Sequence, residues 1–135
     1  MTFNYICFDM TVLSLSGEQK KAFLLLEIVI FNYHGLDREE TRILEESATK
    51  LDALDELKWA MDFVGNDYYA SYDRIREYLN QTVTLFDKST RIDFLRMVWE
   101  GSVRKGYVTE MEAMAMLRIA KDWGVQKELL EIVRK

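Results

Sequence analysis

The chain has 135 residues, 49% hydrophobic and 30% charged, with no proline and a single cysteine, Cys7. That length supports one domain with its own core, the lone cysteine excludes an internal disulfide, and the lack of proline favours helices over loop-rich or all-β architectures. A net charge of −5, with no block of Lys or Arg, sets nucleic acid aside as the main partner.

Residues 1–15 form an N-terminal arm in which Phe3, Tyr5, Ile6, Phe8, Met10, Val12, Leu13 and Leu15 follow no clean period. An extended arm and an extra helical turn packed on the core fit equally well. The arm has no basic n-region of the kind a secretory signal carries. No apolar stretch reaches the roughly 18 residues of a membrane span. Together with the lone thiol, this gives the expectation of a cytoplasmic protein.

The single domain, 16–135, then reads as about seven helices. Ser16 with Gln19 has capping-box spacing, so the first helix starts there and runs to about His34. From Ala22 to Phe31 only Glu27 is not apolar, the mark of a helix buried on all sides. A second helix runs from Asp37 to about Leu51, with Ile43, Leu44, Ala48 and Leu51 as its stripe. A third covers Leu54 to Val64 and closes at Gly65-Asn66. Asp67 to Ala70 reads as a loop before a fourth helix from about Ser71 to Val83. The fifth, from Ser89 to near Lys105, has a wide apolar arc and is the counterpart of the first. The sixth runs from Thr109 to Trp123 and ends at Gly124; the last runs from Gln126 to Arg134.

One local pattern occurs twice. Tyr33-His34-Gly35-Leu36-Asp37 leads to Glu40, and Arg104-Lys105-Gly106-Tyr107-Val108-Thr109 leads to Glu112. Each glycine sits where a helix should stop in a positive-φ residue. His34 and Lys105 suit the negative helix end, Asp37 and Thr109 are N-caps, and Glu40 and Glu112 follow three positions later. Phe23 and Phe94 both lie twelve residues before their glycine, and Leu24 and Leu95 eleven. With one residue fewer in the first turn, Ala48 then matches Ala120. The expectation is an all-α bundle of two pseudo-symmetric helix–turn–helix hairpins.

These residues carry a resemblance. Leu15-Ser16-Gly17-Glu18, Gly35 to Glu40 and above all Arg91 to Val125 resemble TerB-like proteins, the helical fold associated with tellurite-resistance operons and related stress systems. The resemblance covers most of the chain from about residue 16. It implies a bacterial stress- or defence-related setting rather than a reaction. Where the family usually has a turn aspartate, this chain has His34 and Lys105, and its first turn is one residue shorter. A divalent-metal role ascribed to those aspartates does not carry over, since a charged lysine repels a cation.

Candidate sites are few. His34 has no HxxxH or HxxE partner and Cys7 no Cys–His signature, so helix-end and packing roles suffice for them. Glu27 is expected to face a helix edge or pair with a base; convergence of Glu27 and Glu100 would make a carboxylate site. The methionines and tryptophans follow helical spacing and read as core. No Gly-rich phosphate loop, nucleophile elbow or metal-ligand cluster is legible, so no catalytic residue, cofactor or metal ligand is assigned. The partner surface falls to Tyr68, Tyr69 and Tyr72, because tyrosine is enriched at binding hot spots. The expectation is a non-enzymatic protein-interaction module that docks another protein or a second copy. The alternative is divalent-metal binding or sensing through other carboxylates. An assembled carboxylate enzyme and a small acidic inhibitor of a basic toxin stand behind these.

Overall fold

The computed structural model describes residues 15–31, 38–65 and 68–134, with Tyr68 and Tyr69 described in backbone alone. Expectations for residues 1–14, Cys7, His34, Gly35 and Asp37 lie outside the described residues. The described residues form seven helices and no strands: α1 (Gly17–Phe31), α2 (Arg38–Lys50), α3 (Leu54–Val64), α4 (Tyr68–Val83), α5 (Lys88–Lys105), α6 (Glu110–Asp122) and α7 (Gln126–Arg134). None is long and apolar enough to cross a membrane.

The apolar run in α1 does what its composition demands. Every residue from Ala22 to Phe31, including Glu27, is buried, and α1 packs against α2, α3, α4, α5 and α6. A helix apolar on all sides reaches low free energy only with neighbours on all sides. α5, read from the sequence as the counterpart of α1, has one exposed flank. It packs against α1, α2 and α7 and buries Phe94, Leu95, Met97, Val98, Gly101, Ser102 and Lys105, while Val103 and Arg104 face outward. Phe23 and Phe94, which hold matching places in the two halves, meet with ring centroids 5.5 Å apart.

The capping signals hold where they are described. The Ser16 N–H donates to Gln19 Oε1 at 2.9 Å, and the Gln19 N–H donates back to Ser16 Oγ at 3.2 Å. Gly106 ends α5 in the left-handed region at φ 103°. Two boundaries differ from expectation. α4 begins at Tyr68 rather than Ser71. α5 begins at Lys88, because Asp87 Oδ1 accepts the Thr90 N–H at 2.8 Å and so occupies the cap position. The α2–α3 turn has no glycine, and Asp52 takes φ 52° instead. The Ala53 N–H donating to the Ala48 carbonyl at 2.7 Å closes that turn in the manner of a Schellman cap.

Two polar ties fix the outer helices. Arg76 on α4 grips Asp122 at the end of α6 through Nε at 2.6 Å and Nη2 at 2.9 Å, with Asn80 adding a third donor. Arg76 holds the Asp122 carboxyl below its ordinary range. Arg91 on α5 donates to the carbonyls of Thr84, Phe86 and Trp123, joining the α4–α5 turn to the end of α6. The one guanidinium thus supplies donors to carbonyls of a turn and of a helix end, where the helical ladder runs out.

Candidate functional site

The most unusual chemistry lies at the end of α5. Gly106 stops that helix, and Thr109 starts α6 with a full capping box. Thr109 Oγ1 accepts the Glu112 N–H at 3.1 Å, and the Thr109 N–H donates to Glu112 Oε1 at 2.9 Å. The cap uses one carboxylate oxygen and aims the other inward. Glu112 Oε2 accepts from the Lys105 ammonium, which also donates to Glu40 Oε2 at 2.9 Å from the first turn of α2. The Lys105 side chain is fully buried, and those of Glu40 and Glu112 are 6% and 3% exposed.

Two rings complete the setting. Lys105 Nζ lies 5.3 Å from the Phe31 ring centroid and 4.4 Å from that of Tyr107. Cation–π attraction grows when the cation is desolvated, as here. Burial pulls the Lys105 pKa down, but hydrogen bonds from the ammonium to Glu112 and Glu40 more than offset this, and the group stays charged above its ordinary value. The lysine is therefore a tethered cation between two carboxylates that come from separate hairpins.

A second polar group lies one turn along α1. Glu27 is 1% exposed, and its Oε2 accepts from Ser47 Oγ on α2 at 3.1 Å. Among the described residues, its Oε1 and the hydroxyl of buried Ser102 have no hydrogen-bond partner. Burial pushes the Glu27 carboxyl up to about 8, against the opposing pull of Ser47 and the charge of Arg104. At neutral pH Glu27 is thus mostly a protonated acid, which is how a carboxyl persists in an apolar interior. Beside it, Gly101 makes room for Phe31: a Cβ there would stand 3.3 Å from Phe31 Cζ, against 3.7 Å from Ile43 Cγ2 and 3.9 Å from Glu27 Oε2.

Several expectations are corrected or placed by this geometry. Glu27 does not face a helix edge and, among the described residues, forms no ion pair; it is buried on a hydroxyl. Glu100 is exposed on α5, its carboxyl raised by partial burial against the pull of Arg96 and Arg104. The two carboxyls do not figure in one another's shifts, so they form no paired site. Glu40 and Glu112, expected as helix-start acids, do converge. Tyr72 is half-buried against the core, with its hydroxyl buried and without a hydrogen-bond partner among the described residues; Tyr68 and Tyr69 lie in the first turn of α4. Among the described residues, no three or more His, Cys, Asp or Glu side chains gather into a group that could hold a metal ion.

The Lys105 cluster was not foreseen. Its signal was nevertheless present, because Glu40 and Glu112 hold matching places after the two turns and Lys105 directly precedes one of them. Also missed was the aromatic group Trp59, Phe63 and Tyr78, whose centroids lie 5.3–5.5 Å apart. Lys21 lies over Trp59 and Arg74 over Phe63. Comparison with models of known families, with characterised proteins and with solved structures finds no match, so the likeness to TerB-like proteins rests on the residues quoted above.

Proposed function

We propose that this chain is a non-enzymatic protein-interaction module of TerB-like type, serving a bacterial stress- or defence-related complex in the cytoplasm. The observation that carries the reading is the Lys105 cluster. The carboxylates that the two hairpins present at their helix starts are closed on an internal ammonium, away from water. They fix one hairpin against the other and are not presented to a substrate. The meeting of matched residues, Phe23 with Phe94 and Glu40 with Glu112 through Lys105, supports a pseudo-twofold relation between the halves.

The alternative, divalent-metal binding, is favoured by the convergence of Glu40 and Glu112 and opposed by what lies between them. A metal would have to displace a buried ammonium carrying two charge-assisted hydrogen bonds. Calorimetric titration of the full chain with calcium, magnesium or manganese is expected to give no saturable heat. Saturable binding lost in Glu112→Gln would replace the interaction reading with the metal one.

The interaction reading leaves its surface at the start of α4, where Tyr68, Tyr69 and Tyr72 fall within two turns. Affinity capture from lysate of the source organism, read by mass spectrometry, tests it. A partner bound by the full chain and lost in Tyr68→Ala/Tyr69→Ala is the expected result. Equal recovery with both proteins removes the tyrosines from the proposal.

A further inference from the structure

Glu27 stands where three helices meet and has too few donors for an ionised carboxylate. It lies on α1, accepts from the Ser47 hydroxyl of α2, and sits against Gly101 of α5. A carboxylate takes up to about four hydrogen bonds. Among the described residues a single hydroxyl reaches Glu27, and Oε1 is left over. The charges around it are few. Arg104 on α5 favours its ionised form and is exposed. Lys50, one turn beyond Ser47 on α2, is held below its ordinary range by partial burial and by Arg104. No charged group of α3, α4 or α6, the other helices packed on α1, figures in the titration of Glu27. Lys105 is closed on Glu40 and Glu112. Loss of the Glu27 proton therefore calls for water, and water enters this interior only if one of the three helices moves.

Of the three, α2 is held least. More than half of its side chains are charged, and its buried apolar side chains are Ile43, Leu44 and Ala48 alone. By contrast α1 is buried throughout from Ala22 to Phe31. α5 buries Phe94, Leu95, Met97 and Val98 and is tied down further by Arg91. Segments with few buried apolar contacts open first. Ser47 is only half-buried, so a short displacement of α2 brings water to Glu27. That displacement would take Glu40 from Lys105, which keeps Glu112, and so the displaced state is a minor one. Arg104 stays behind on α5 with the new carboxylate.

We propose that α2 is a proton-linked cover: when Glu27 ionises, α2 lifts from α1 and α5 while the other described helices stay packed. The device is local, distinct from loss of the whole fold, and it works whatever the protein binds.

Native-state hydrogen exchange of the full chain, followed amide by amide by NMR across pH and at low urea, tests this. The readout is protection, the exchange rate relative to that of the unfolded chain. The amides of Ile43, Leu44 and Ala48 should lose protection about tenfold per pH unit near neutrality and level off above about pH 8, where Glu27 ionises in place. Their urea dependence should be well below that of Ile28 and Ile30 on α1. Glu27→Gln should remove the pH dependence on α2. Ser47→Ala keeps the titrating carboxyl and should lower protection on α2 while retaining the slope. Three results overturn the proposal. Protection on α2 could hold constant across pH. The α2 amides could follow those of α1 in both pH and urea, so that the proton leaves only on complete unfolding. Or Phe94 and Val98 could open ahead of α2, which would make α5 the moving helix.

Discussion

Glu27 is a carboxylic acid placed where a carboxylate cannot stay cheaply. Its folded-state pKa of about 8 lies above the ordinary 4.5, chiefly through burial. The folded protein therefore holds a proton that the unfolded chain has released between those values. By linkage, the stability contributed by the neutral acid is fully present below about pH 4.5 and is lost as pH rises toward 8. A shift of this size amounts to something on the order of 3–5 kcal/mol across the window. Glu27→Gln keeps the shape of the neutral acid and an acceptor for Ser47. Its thermal midpoint should match wild type near pH 5 and exceed it by a widening margin up to pH 9. A constant difference across that range would show that ionisation of Glu27 is not what the fold resists. The sequence marked Glu27 as the odd residue of α1 but could not say which neighbour answers it, because Ser47 and Gly101 come from two other helices.

At the scale of single elements, most of the fold was legible because the signals are local. The capping boxes at Ser16 and Thr109 are spelled within four residues, and the turns at Gly65, Gly106 and Gly124 all require the positive φ that glycine supplies. Thr109→Ala removes one half of such a box and is expected to cost about 1 kcal/mol. Urea unfolding with an unchanged m-value would show this, and a loss well below it would mean that Glu112 is held in place by Lys105 alone. The misreadings came where a weaker signal won. Asp87, rather than the loop-like run before Ser89, set the start of α5. At the start of α4, Tyr68 to Ala70 look like a loop by composition but continue the helix.

At the scale of the whole molecule, the Lys105 cluster was beyond the reach of local reading. Each member has a sufficient local explanation, as a helix-end cation or a capping acid, and Lys105 and Glu40 stand 65 positions apart. Only packing α2 and α6 against the end of α5 brings them together. Removing the cation leaves two buried carboxylates facing one another, and breaking a buried ion pair in this way costs roughly 3–5 kcal/mol. Lys105→Met should therefore unfold at markedly lower denaturant than wild type, and Lys105→Met/Glu40→Leu should recover part of the loss. Wild-type stability in the single variant would show that the cluster holds nothing together. Because the folded pKa of Lys105 is raised above 10.5, its contribution is intact at neutral pH and fades only as pH climbs through the raised value.

Gly101 and Lys105 are one turn apart on the same face of α5, with Phe31 against both. This pairing makes the helix a key with two teeth. Sliding α5 by one turn toward its C-terminus, about 5.4 Å, would carry Lys105 out of the carboxylates, bring Gly101 into its place and press Met97, or its neighbour Val98, onto Phe31. Both glutamates would lose their cation in the same movement. Such a shift would therefore cost the buried ion pairs and the Gly101–Phe31 fit together.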